Sequence, residues 1–317
     1  MNDAIKAGQS AKAVEDMLRD ELAQGDVVLS TATPILRHLL ANDDHALFND
    51  EVIATIRGMM VHLGRQMLFK LAEELKTDDR SEFVSQYQDA LATALLQDTA
   101  FLGHAHALAV EAQLTERLQS RSGVDPVLTP LLQELTASTT QAADAMRVVA
   151  SQARFMQHQR RMELPLDELP AELFHGATKA LKNNLPDYAT ETKSVCDRLR
   201  ADYREGERRV GQMTKLVLTL GSDGNRALSI ANAGLSFFAT ALHMVAAQDR
   251  DLVVLSLGEN QCARLALSLR AAGLDQGEVE EQFIYLHPET TLPDGFDALQ
   301  ADQAAQLLHS AAAKQVH

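Results

Sequence analysis

The sequence predicts an all-α protein, a multi-helix bundle of roughly a dozen helices in two packed halves. Three observations carry this expectation. Ala and Leu supply most of the 46% hydrophobic content, aromatic residues reach only 4% and Trp is missing, a balance that favours helices over strands. Gly and Pro, 16 and 8 in 317 residues, are too few for a turn-rich β fold. Two stretches, residues 90–110 and 227–248, hold one charged residue (Asp98) between them in a chain that is 23% charged. Helices so neutral belong inside a core.

The two stretches echo one another at an offset of 137 positions. Ala90, Leu91, Ala94, Phe101, His106 and Ala109 recur as Ala227, Leu228, Ala231, Phe238, His243 and Ala246. Duplication explains the echo; so does a shared packing rule, because Ala and Leu matches arise cheaply in this composition.

Along the chain, Val14, Met17, Leu18 and Leu22 repeat at helical spacing, with Gly25 as the expected stop. Thr33-Pro34 reads as a cap with proline in the first turn of a second, short helix. Helices are expected over residues 50–75, 81–97 and 99–119, and Asp125-Pro126 reads as the next start. A long helix over 141–163 runs into Leu164-Pro165-Leu166-Asp167-Glu168-Leu169-Pro170. Two prolines five apart cannot share a regular helix. This joint separates an N-terminal half, 1–163, from a C-terminal half, 171–290, followed by an acidic segment and helix over 291–317. Helices are expected over 171–181, 190–220, 227–248, 259–272, 278–286 and 301–313. The apolar run 252–258 reads as helix or extended connection, since no partner strand appears.

Charge narrows the function classes. The formal net charge is −15, so broad nucleic-acid binding is not expected. Cys196 and Cys262 have no CxxC spacing, which fits a reducing compartment, and no apolar leader opens the chain. Residues 227–248 have the length of a membrane span, but Ser229, Asn232, Ser236, Thr240 and His243 make a buried helix the better reading. The expected setting is cytoplasmic, and the Arg-rich usage suits a bacterial genome.

Motifs for chemistry are sparse. Glu172-Leu-Phe-His175 has the spacing of a di-iron ligand pair but occurs once, where such a site needs two. His104 and His106 are two apart on a helix and point to different faces. Gly221-Ser-Asp-Gly224 lacks the Lys-Ser/Thr of a phosphate loop, and Gly234-Leu-Ser236 lacks the second Gly of a nucleophile elbow. No metal, cofactor or catalytic set is therefore expected.

Two placements remain. Arg147, Arg154, His158 and Arg161 share one helical face, a basic stripe beside an apolar one of Met146, Val149, Ala153 and Met156. Between Arg270 and Lys314 there is no basic residue besides His, while Asp275, Glu278, Glu280, Glu281, Glu289, Asp294, Asp297 and Asp302 accumulate. The reading is a non-enzymatic helical adaptor, scaffold or regulatory protein that binds a protein partner or a second copy. The alternative is a helical enzyme, or a ligand- or metal-binding protein, with a pocket between the neutral helices near His106 and His243.

Overall fold

The structure, a computed structural model, describes residues 2–41 and 50–315. Among these residues the regular secondary structure is helical, as the composition implied. The order is α1 (Asn2–Ala41), α2 (Asp50–Leu75), α3 (Arg80–Gln97), α4 (Thr99–Ser122), α5 (Pro130–Thr136), α6 (Ala142–Arg160), α7 (Ala171–Asn184), α8 (Ala189–Asp202), α9 (Arg209–Leu220), α10 (Ile230–Ala246), α11 (Arg250–Ser256), α12 (Cys262–Ala271), α13 (Gln276–Leu286) and α14 (Ala301–Gln315).

The helices gather into two compact units. The first comprises Met1–Ala32, Gln113–Met146 and Leu216–His317; the second comprises Thr33–Ala112 and Arg147–Lys215. These are interleaved segments rather than the consecutive halves 1–163 and 171–290. The joint 164–170 lies inside the second unit, where it is a strap rather than a boundary.

In the second unit, α2 buries Ile56, Met59, Met60, Leu63, Met67 and Leu71, a three-four repeat that makes one continuous apolar face. Helix α3 packs on it, and α7 and α8 also contact it. Asp79 caps α3 by accepting from the backbone N–H groups of Ser81 and Glu82, both at 2.9 Å. Asp98 divides the neutral stretch 90–110: its backbone closes α3, and its side chain accepts from Ala100 N at 2.9 Å to open α4. The strap is bound to α2 by Gln66, whose Nε2 donates to Leu164 O at 2.9 Å and whose Oε1 accepts from Leu166 N at 3.0 Å. His62 Nδ1 lies within 2.9 Å of Leu164 O. Leu164, Leu166, Leu169, Leu173 and Phe174 are all buried, so the proline-broken segment is an intramolecular clamp.

In the first unit, α10 is the central rod, and every residue from 233 to 242 is buried. It bends at Gly234, whose φ of 72° and ψ of 166° suit glycine alone. A Cβ there would lie 2.5 Å from Cγ2 of Thr129, the residue that caps α5. Helix α12 is buried at every position from 263 to 269, and α14 packs against it. No single helix among the described residues is long and apolar enough to cross a membrane. Helices α10 and α11 reach that length only together, bent 117° to one another.

Four local expectations are corrected. Helix α1 continues through Gly25 and Pro34. Gly25 marks a close approach, since a Cβ would fall 2.7 Å from Gln261 Oε1, and Gln261 Nε2 donates to Gly25 O at 2.7 Å. Helix α5 starts after Thr129-Pro130 instead of Asp125-Pro126; Asp125 Oδ1 accepts from Val127 N and Leu128 N in the preceding turn. The charged stretch 190–220 is two helices, because the backbone turns at Glu205–Glu207. Gly211 lets that turn fold back, as its Cβ would meet Glu205 O at 2.7 Å. Finally, α6 buries Ala145, Val148, Gln152, Phe155, Met156 and Gln159. Its apolar stripe is therefore rotated about one position from the expected one, and Met146 is 55% exposed.

Candidate functional site: an exposed arginine face and two buried arginine networks

Helix α6 runs without a proline or glycine, so side chains seven apart fall on one face. Arg147 and Arg154 both project from the exposed side, with Ala150, Ala153 and Gln157 between and beyond them. Arg161 follows the last helical residue, Arg160, in a turn where Met162 adopts φ 56°. It remains exposed and makes no side-chain hydrogen bond or ion pair among the described residues, although its charge reaches Glu163. Among the described residues Arg154 has no hydrogen-bond or ion-pair partner. His158 departs from the stripe: its Nδ1 pairs with Glu163 Oε2 at 2.9 Å. That hydrogen bond, helped by the nearby His62 and Arg161 charges and opposed by partial desolvation, holds the Glu163 carboxyl below its usual range.

The acidic segment lies in the first unit. All eight of its carboxylates are exposed, and among the described residues none pairs with a basic side chain. Asp275 and Glu278 form a reciprocal cap on α13, each accepting from the other's backbone N–H at 2.9 Å. Glu280 and Glu281 follow on α13, and Ile284, one turn on, is 66% exposed.

His106 and His243 belong to different units, so each is accounted for separately. Burial pushes His106 down to about 4. His243 Nδ1 donates to Gln248 O at 2.5 Å. Among the described residues no group of three or more His, Cys, Asp or Glu side chains is arranged to hold a metal ion; Glu172 and His175 are exposed on α7. Burial raises the Cys196 thiol above its ordinary value, and its Sγ lies 3.5 Å from Thr178 O.

The larger surprise is charge in the interior. In the second unit, Arg209 at the start of α9 donates from Nη1 to Glu111 Oε1 at 2.5 Å and from Nη2 to Glu111 Oε2 at 3.1 Å. Nη1 also reaches Gln152 Oε1 at 3.1 Å, and the guanidinium sits 3.7 Å from the Phe155 ring centroid. Next to it, Arg208 is 7% exposed and lies 3.8 Å from the Tyr203 ring centroid, and its Nε and Nη2 have no hydrogen-bond partner among the described residues. Burial lowers the Arg208 pKa, offset in part by the charges of Tyr203, Glu205, Glu168 and Asp167. Burial also pushes Tyr203 up to about 12. In the first unit, Arg264 donates to Asp26 and, at 3.2 Å, to Gln248 Oε1. Gln248 in turn donates to Ser268 Oγ at 2.6 Å. Arg250 ties α11 to α10 through Thr240 Oγ1 at 3.1 Å.

Sequence reasoning passed over these residues, yet one signal was present. Glu111 falls in the repeat 104, 105, 108, 111, 112, 115, 118, all buried on α4. A carboxylate in a core register asks for a buried cation. No protein-family model, curated protein or solved structure matches this chain, so its function is argued from these features alone.

Proposed function

We propose that this chain is a non-enzymatic helical adaptor, scaffold or regulatory protein of the cytoplasm that works through protein–protein contact. The arginine face of α6 is its contact surface. The supporting observation is Arg154: an exposed guanidinium with no partner among the described residues, in a chain of net charge −15. In so acidic a protein, an arginine side chain left without an intramolecular ion pair at Arg154 makes an acidic partner surface favourable. The small side chains Ala150 and Ala153 between the arginines let a partner helix approach closely.

The buried arginine networks support the same reading from another side. Their donors are directed at Glu111, Gln152, Asp26, Gln248 and Thr240 within each unit, where they fix helix register. Rigid helices presenting fixed charges suit recognition.

Co-purification from the native cell tests the proposal. The wild-type chain is expected to retain a stoichiometric protein partner that R154E/R161E loses while keeping its helical circular dichroism. Equal recovery by both chains would overturn the assignment of this face.

A further inference from the structure

We infer that the occupant of the arginine face is a second copy of this chain, which docks its α13 there. The inference rests on the proposed role of that face and names its partner. Helix α13 presents Gly277, Glu280, Glu281 and Ile284 on its exposed side. The spacing of three, four and seven residues makes these one surface.

Three features of the two helices complement each other. Among the described residues, Glu280 and Glu281 offer adjacent carboxylates without ion pairs, and Arg154 and Arg161 offer guanidinium groups without them. Arginine takes carboxylate in a fork geometry, so such a pairing gains direction as well as charge. Ile284, 66% exposed, is an apolar group set one turn from those carboxylates. Ala150 and Ala153 provide a shallow apolar floor between Arg147 and Arg154 where such a side chain fits. An apolar anchor ringed by charge pairs is how protein contacts obtain both affinity and register.

The two surfaces differ, so the contact is heterologous, with α6 of one copy against α13 of the next. It is also salt-sensitive, because the charges lie at the surface.

Sedimentation velocity on the full chain at low salt tests the inference. The wild type is expected to sediment above the monomer and to dissociate as salt rises. R154E/R161E and E280R/E281R, each alone, bring like charges together and weaken self-association at least about tenfold. Mixing the two variants restores the complex, because the unaltered arginine face of one meets the unaltered α13 of the other. Ile284→Ser weakens association without changing its salt dependence.

A wild-type chain that stays monomeric at low salt overturns the inference, as does an E280R/E281R chain that associates like the wild type. Neither result touches the proposed role of the arginine face, which falls only if R154E/R161E keeps its cellular partner.

Discussion

Arg209 and Glu111, 98 positions apart, form a two-bonded ion pair with side-chain exposures of 3% and 0%. Desolvating both charges consumes most of their attraction, so the pair adds more to specificity than to stability. It sets which turn of α9 meets which turn of α4, a choice that apolar contacts alone leave loosely defined.

Breaking the pair from one side is therefore costly. Glu111→Ala leaves the Arg209 guanidinium buried with only Gln152 and Phe155, and should destabilise by about 3–5 kcal/mol. Replacing both partners, Glu111→Leu with Arg209→Met, should come within about 1–2 kcal/mol of the wild type or above it. Urea denaturation followed by circular dichroism separates the two cases. Equal losses in both variants would mean that the pair is not what holds this register.

At Gly234 the backbone carries the constraint. Gly234→Ala forces an L residue to φ 72° and drives its methyl group onto Thr129 Cγ2. The strain alone costs about 1–3 kcal/mol, and the clash adds to it. Adding Thr129→Ser removes the opposing methyl but keeps the capping hydroxyl, so the double variant should recover part of the loss. Thermal melts of the three chains test this, and recovery of nothing would locate the whole cost in the dihedral.

His106 gives a pH dependence of known sign. Its folded pKa is lowered by burial to about 4, whereas an unfolded His titrates near 6.5. Below 6.5 the unfolded chain takes up a proton that the native state refuses, so stability falls between pH 6.5 and 4. At pH 5 the loss relative to pH 8 is about 2 kcal/mol from this group. His106→Gln should remove that increment, leaving the carboxylate contributions at lower pH unchanged. Parallel slopes for the two chains over this window would contradict the burial argument.

Local rules recovered whatever local chemistry determines. The break at Asp98 was legible because it is the one charge in a neutral run, and α2 takes the bounds expected of it, while the capping role of Asp98 became visible only in the structure. The break at 164–170 followed from its two prolines, but its packing as a clamp rather than a joint is set by Gln66 and His62 on α2. Gly25 misled because its requirement comes from Gln261, 236 residues away. The turn at 205–207 was hidden because opposite charges four apart, at 198/202 and 205/209, are also what a continuous helix would carry. Instead Arg198 pairs with Glu74 at 2.6 Å, and Arg209 turns inward to Glu111. The arginine face itself was legible as spacing, but the exposure that gives it meaning was not, since α6 is rotated from the expected register.

Protection of individual arginines tests the central claim most directly. An arginine-specific dicarbonyl, applied to the chain in native-cell extract and to the purified chain at high dilution, can be read out residue by residue by mass spectrometry. Arg154 and Arg161 should react several times more slowly in the extract, while exposed Arg200 on α8 reacts equally in both. Equal reactivity of Arg154 and Arg161 in the two settings would contradict the account, because a contact surface in use cannot stay open to the reagent.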